Sequence, residues 1–317
     1  MIPVSFVLAT AFVVGQDMGV DWRKDYETAR AESREKGRLL LLHFHMPGRP
    51  VCKTMDDETF ADAEVARAAR ERFVSVRVEV DAQPQLFETT IGGRGGLATC
   101  VLDGEGDVLS ALHGFAAPAT FLRFLKRAEQ AHQGVKSARD VVSKKPDDPA
   151  GIHALAEIYR NAESLRRADE CYRQVVERHP TSSVAAACHE RLARLRVMRG
   201  KNVDARKHLA EARRLDPEGR VAPADRLLLT EALALAIERK HADAARVLEQ
   251  ALRSHPSSPE ADHMLYALGF VLHQDGKDKP AMEVFERTLR EHPQSPWVPA
   301  VREQMEHIKN PQPDHEH

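Results

Sequence analysis

Residues 39–53 read Leu39-Leu40-Leu41-Leu42-His43-Phe44-His45-Met46-Pro47-Gly48-Arg49-Pro50-Val51-Cys52-Lys53. Four leucines followed by His43 and Phe44 have the pattern of a short, fully buried strand. Pro47, Gly48 and Pro50 then stop the strand before Cys52 opens a helix. Strand, turn, cysteine and helix, in that order, form a redox geometry.

This stretch resembles the thioredoxin superfamily, especially the periplasmic thioredoxin-like domains of thiol:disulfide interchange proteins. Those domains read roughly Phe-x-Ala-Asp-Trp-Cys-x-x-Cys-Lys. Laying Phe44 and Cys52-Lys53 on that pattern places Gly48 at the tryptophan and Arg49 at the first cysteine. Val76-Arg77-Val78-Glu79-Val80-Asp81 resembles the next central strand. Gly96-Leu97-Ala98-Thr99 falls where the family has Gly-x-Pro-Thr, with Ala98 replacing a cis proline.

The resemblance assigns the attack on a disulfide to the first cysteine and resolution of the mixed disulfide to the second. With Arg49 in the first position no attacking thiol remains, so a lone Cys52 is expected to be buried and inert. A cis bond before Ala98 would cost about 2.5–4 kcal/mol, so that loop is expected to follow another path. His43 occupies the position where many members bury an acid that assists the second cysteine. It is therefore either a partner tuning Cys52 or a hydrogen-bonded core histidine. His43 and His45 are read as facing opposite sides of the sheet, unable to chelate one ion. Arg49 opposes the helix dipole by about 0.3–1 kcal/mol and either meets a partner carboxylate or is solvated.

The 317 residues suffice for two domains, and a net charge of −2 gives no electrostatic reason for nucleic acid or an anionic membrane as partner. Aromatic residues make up 5% and charged residues 30%, a balance that suits a helical array with solvated faces. Residues 2–15 are uncharged, short for a bilayer span, and fit a signal-peptide core cleaved after Gly15, although no basic segment precedes them. A periplasmic or secreted location follows if 1–15 is a signal, and a cytoplasmic one if it is not. The four cysteines, at 52, 100, 171 and 188, have no metal-ligand spacing, so no metal and no cofactor is expected. Cys52 and Cys100 could approach across the sheet as a disulfide, or remain separate core thiols.

Residues 17–38 are expected to form an amphipathic helix on which Trp22 and Tyr26, four apart, share a face. A helical pattern broken around Asp62 follows Cys52 and ends before Phe73. Gly92–Gly96 lacks the ending of a phosphate-binding loop and reads as a flexible turn. Thr99–Leu102 and Val108–Leu112 form a hairpin around Asp103–Asp107, closed by a helix carrying Phe121, Leu122 and Leu125. A thioredoxin-like domain is thus expected over 17–132 and a linker over 133–148.

Beyond the linker the chain repeats. Prolines 180, 217, 256 and 293 end helices, each twelve residues after an alanine, at 168, 205, 244 and 281. The steps are 37, 39 and 37 in both series, so four units are in phase. Leu155, Ala156, Tyr159, Ala168, Tyr172, Val175 and Pro180 fall on the positions of a tetratricopeptide repeat, which the array resembles. Ala205 and Pro217, Ala244 and Pro256, then Gly269, Ala281, Phe285 and Pro293 keep the frame. Small alanines let paired helices approach and proline stops the second helix. His179, His255 and His292, each before a terminating proline, suit a helix C-terminus rather than a metal array. Residues 149–309 are therefore expected to form an α-solenoid closed by a capping helix around Trp297, Val301, Met305 and Ile308, with 310–317 a disordered tail.

An α/β thioredoxin-like fold followed by an all-α solenoid argues for binding. The array is expected to hold a protein or extended peptide in its groove, beside a redox-inactive domain. Arg166, Arg167, Arg194, Arg196 and Arg199 supply basic groups but define no carboxylate clamp. The competing expectation is a thiol oxidoreductase or isomerase working through Cys52, with Cys100 and His43, to which the repeats recruit substrate.

Overall fold

The structure is a computed structural model that describes residues 19–91 and 96–310; the expected signal segment, most of the glycine-rich turn and the tail beyond 310 lie outside the described residues. Two compact units divide it. One runs to Asp140 and takes in Ile158–Ser164, and the other holds Val141–Glu157 and the chain from Leu165 on.

In the first unit the leucine run forms strand β2, Leu39–His45, buried at every residue but the last. It lies at the centre of a five-stranded sheet because it has hydrogen-bonding partners on both edges. β3, Phe73–Glu79, runs parallel to it with His43 opposite Arg77, and β4, Ala98–Leu102, runs antiparallel with His43 opposite Thr99. The edges are β1, Trp22–Arg23, beside β3, and β5, Val108–His113, which returns antiparallel to β4.

The helix expected over 17–38 is shorter, because the Asp25 side chain accepts the Thr28 N–H and starts α1 at Tyr26, to run as far as Lys36. The shared face of Trp22 and Tyr26 is thereby lost. Tyr26 joins Leu40, Leu42 and Phe44 on one side of the sheet. The Trp22 ring lies on the other side, 5.7 Å from His43 and 4.9 Å from Phe60. After the turn come α2, Pro50–Thr54, one wider π-helical turn, Met55–Phe60, and α3, Ala63–Arg72. The expected break around Asp62 is there, with its carboxylate capping the Glu64 and Val65 N–H groups. A short helix α4, Pro84–Thr90, adds Phe87 to the Tyr26 side.

Residues 133–148, expected as a linker, are helical as far as Lys144: α5 runs unbroken over Pro118–Lys144. The continuation has tertiary partners that sequence pattern does not display. Val135 is buried, and Arg139 reaches back to two nearly buried carboxylates of the hairpin, Asp103 at 3.2 Å and Asp107 at 2.9 Å. Asp103 also accepts the N–H groups of Glu105 and Asp107, so one aspartate fixes both the turn and its packing.

From residue 149 on the chain carries helices in the expected phase: α6 Pro149–Asn161, α7 Leu165–Arg178, α8 Ala185–Met198, α9 Asn202–Leu215, α10 Ala224–Ile237, α11 His241–Ser254, α12 Ala261–Gln274, α13 Asp278–Glu291 and α14 Val298–Lys309. The repeat alanines 168, 205, 244 and 281 are wholly buried. At Gly269 the packing leaves no space for a side chain, since a Cβ there would lie 2.4 Å from a ring carbon of Phe285. The length beyond the common repeat sits between helix pairs. The extra two residues of the 39-residue step fall in the turn before α10, which spans 216–223 where the other inter-pair turns have six residues. There Asp216 accepts the N–H groups of Val221 and Ala222. A repeated bracket joins successive pairs: Ser258 donates to Asp225 and, 37 residues on, Ser295 donates to Asp262, each at 2.6 Å.

Candidate functional site

Two places could carry function, one in each unit. The first is the turn ending β2. Gly48 has φ +81°, a conformation open to glycine, and it turns the chain so that Pro50 opens α2. Arg49 is the N-cap residue, exposed and without a side-chain capping bond. Cys52 lies beneath it with 6% of its surface exposed, and its sulfur accepts the Met46 N–H at 3.4 Å. Cys52, Cys100 and Cys188 are buried free thiols, and Cys171 is half-buried. Burial pushes the Cys100 thiol well up and that of Cys188 to about 12, which disfavours the thiolate at both. Ala98 starts β4 in line with the strand, opposite Phe44, and no peptide bond among the described residues is cis.

His43 is 1% exposed, and its Nδ1 is 2.9 Å from the Thr99 hydroxyl rather than paired with Cys52. The reading of His43 and His45 as facing opposite sides is corrected. Residues two apart on a pleated strand share a face, and these rings stack with centroids 6.2 Å apart. Burial, and then the Arg77 charge, holds His43 well below the ordinary histidine pKa. Arg77 itself lies over the Trp22 ring at 4.7 Å and pairs with Asp56.

This histidine gives the unit an acid sensitivity. Unfolded, the imidazole takes a proton near pH 6.5; folded, it stays neutral further down, so the unfolded state binds more protons as pH falls. Stability is expected to drop below about pH 6.5 by up to about 1.4 kcal/mol per pH unit. Denaturant titrations at pH 7 and pH 5.5, read through Trp22 fluorescence in a Trp297→Phe background, check this.

The second place is the face made by the first helices of the repeats, where α8 lies beside α10, α10 beside α12, and α12 beside α14. Fifteen and eleven residues ahead of each repeat alanine stand His153 and Glu157, Glu190 and Arg194, Leu229 and Leu233, then Tyr266 and Phe270. The face is charged on the early repeats and apolar on the later ones. A cavity of about 450 Å³ opens on the apolar half between Val197, Leu233, Ile237, Tyr266, Phe270 and Trp297. Met198 and Ile237 at its edge are 64% and 51% exposed. Trp297, expected inside the capping helix, is instead the residue before α14, and its indole lies flat on Tyr266 at 4.8 Å and on His263 at 4.3 Å.

On the charged half Glu190 is fully buried, 3.3 Å from Arg191 and 3.8 Å from Arg226. Arg191 also pairs with Glu157 at 2.9 Å. The five arginines singled out in the sequence are engaged within the protein. Arg166 and Arg167 pair with Glu170, Arg196 and Arg199 converge with Arg173 on Asp169, and Arg194 meets Glu260. Burial opposes ionisation of Asp169, but the Arg196 hydrogen bond and charge outweigh it and hold its carboxyl below the usual range. The His263 ring 3.7 Å away and the Arg194 charge hold Glu260 at about 2. Among the described residues no group of three or more His, Cys, Asp or Glu is placed to hold a metal ion. Nor is any of their helices long and apolar enough to cross a membrane.

Family comparison places a thioredoxin-like domain at residues 21–95 and tetratricopeptide repeats at 153–220 and 229–296. No curated protein matches the chain. Similar solved structures include the solution structure of a thioredoxin from Thermus thermophilus, at 26% identity over 34% of this chain and 86% of that one, with a TM-score of 0.31. A thermophilic tetratricopeptide-repeat protein, also from Thermus thermophilus, is 17% identical over 58% of this chain and 93% of its own, with a TM-score of 0.44. A protein described as DsbH oxidoreductase is 17% identical over 39% of this chain and 94% of its own, at a TM-score of 0.33.

Proposed function

We propose that this chain, a thioredoxin-like domain followed by tetratricopeptide repeats, is a periplasmic or secreted scaffold that holds a partner protein in the groove of its repeats and performs no disulfide exchange. The observation that carries the reading is the apolar cavity on the face of the first helices, walled by Tyr266, Phe270 and Trp297 and left open beside exposed Met198 and Ile237. Aromatic walls and a flexible methionine at the edge suit an apolar side chain of an extended partner segment.

Three features support the absence of thiol chemistry. Arg49 stands at the attacking position, Cys52 is covered, and Cys100 is an unpaired core thiol beside Leu42 across the strands. Residues 2–15, as a signal core, support the location.

The thiol question has a direct test. In the native full chain Cys52 is expected to label with a neutral-pH thiol reagent at least about tenfold more slowly than after denaturation, and the protein is expected not to reduce an insulin-type disulfide. Fast labelling of Cys52, or reduction that Cys52→Ser abolishes, would establish the oxidoreductase instead.

A further inference from the structure

We propose that Arg194 is a clasp that ties the second repeat to the fourth across the third, and that the closed clasp fixes the wall of the apolar cavity. Its functional meaning rests on the groove reading above, but the clasp itself is a property of the free protein.

In a stacked array each repeat ordinarily touches only its neighbours. Links that obey this include Arg191 with Glu157, Arg226 with Glu190, Arg206 with Glu238 and Arg213 with Glu231. Arg194 departs from α8 and passes over α10. Its Nη2 reaches His263 Nδ1 at 3.2 Å, and its Nη1 comes within 3.6 Å of Glu260 Oε2, at the start of α12. His263 Nδ1 is 3.7 Å from the same carboxylate oxygen, so three groups from two non-adjacent repeats close on one another.

The residue types fit that task. Arg194 stands eleven residues ahead of Ala205, the register position filled by Leu233 ahead of Ala244 and by Phe270 ahead of Ala281. An arginine placed between Glu157 and the apolar Leu233 and Phe270 of that row needs an acceptor, and here the fourth repeat supplies it. The planar guanidinium can serve two acceptors at once, which a lysine ammonium does less well. Arg194 and Glu260 are each 26% exposed at the side chain and His263 is 11% exposed, so water screens the group less than it does a surface pair.

The far end of the clasp is the cavity wall itself. His263 carries the Trp297 indole at 4.3 Å with 20° between the rings, and Trp297 covers Tyr266. Releasing Arg194 frees His263, and with it the aromatic plate that bounds the cavity.

The test uses the full chain in a Trp22→Phe background, which leaves Trp297 as the remaining tryptophan of two. Acrylamide quenching of Trp297 is expected to rise about twofold in Arg194→Ala and in Glu260→Gln, with the double variant no higher than the larger single one. Arg194→Lys is expected to lie between, and Arg206→Ala, which cuts a neighbour link, to match the parent. Circular dichroism confirms that each variant is folded. Quenching unchanged in folded Arg194→Ala, or effects that multiply in the double variant, would overturn the clasp. Because no partner is present, failure here is distinct from failure of partner binding.

Discussion

Replacing Gly269 by valine is expected to destabilise the repeat unit by about 3 kcal/mol, the upper part of the range for overpacking a filled core. The added Cβ would lie 2.4, 2.7 and 2.8 Å from three carbons of the Phe285 ring, which has no exposed surface. Alanine at the same place carries the same Cβ but gains about 1 kcal/mol of helix propensity over glycine, so its net cost is expected to be smaller. Denaturant unfolding followed by helical circular dichroism measures both. Phe285→Leu should recover part of the loss in the Gly269→Val background while destabilising the parent.

Asp169→Ala is expected to cost about 3 kcal/mol, because it leaves cations without their anion in a largely covered site. Arg196 decides the size. Its side chain is 12% exposed and would lose a hydrogen-bonded ion pair, whereas Arg173 and Arg199, at 47% and 42%, can turn to water. The same unfolding measurement applies, and Asp169→Asn, which keeps the shape without the charge, should lie between alanine and the parent. The pair of Asp169 with Arg196 stood outside every sequence pattern, because the two lie 27 residues apart on different helices.

That contrast explains what could be read in advance. The strand of four leucines and the alanines and prolines in phase are local or strictly periodic signals, and the strand, the helix phase and the buried alanines follow them. The break at Asp62 is local too, since that carboxylate caps its own helix. By contrast, the starting point of α1 hinged on one cap at Asp25, which separated Trp22 from Tyr26. The helix through 133–144 persists because Arg139 has acceptors in the hairpin more than thirty residues earlier. The shared face of His43 and His45 was available from the pleat alone.

The groove was hidden differently. Its residues occupy the positions between the repeat signature residues, and the charged-to-apolar change emerges only when Glu190 and Arg194 are set in register with Leu229 and Leu233 and with Tyr266 and Phe270. Arg194 has its partners 66 and 69 residues away, a distance at which one sequence gives no pairing signal. Trp297 reads as a core residue of a capping helix because four apolar residues follow that period, yet the turn before α14 directs it onto α12.

The leucine strand at 39–45 therefore supports a fold whose thiol is covered, while the open apolar cavity lies on the repeats. The most direct test is capture of partners from native extract on immobilised full chain, comparing the parent with Ile237→Glu, which places a charge at the cavity edge, and with Cys52→Ser. The parent and Cys52→Ser are expected to retain the same proteins, released without reductant, and Ile237→Glu to lose them. Retention by Ile237→Glu, with loss in Cys52→Ser of proteins that only reductant releases, would contradict a scaffold that binds through its repeats.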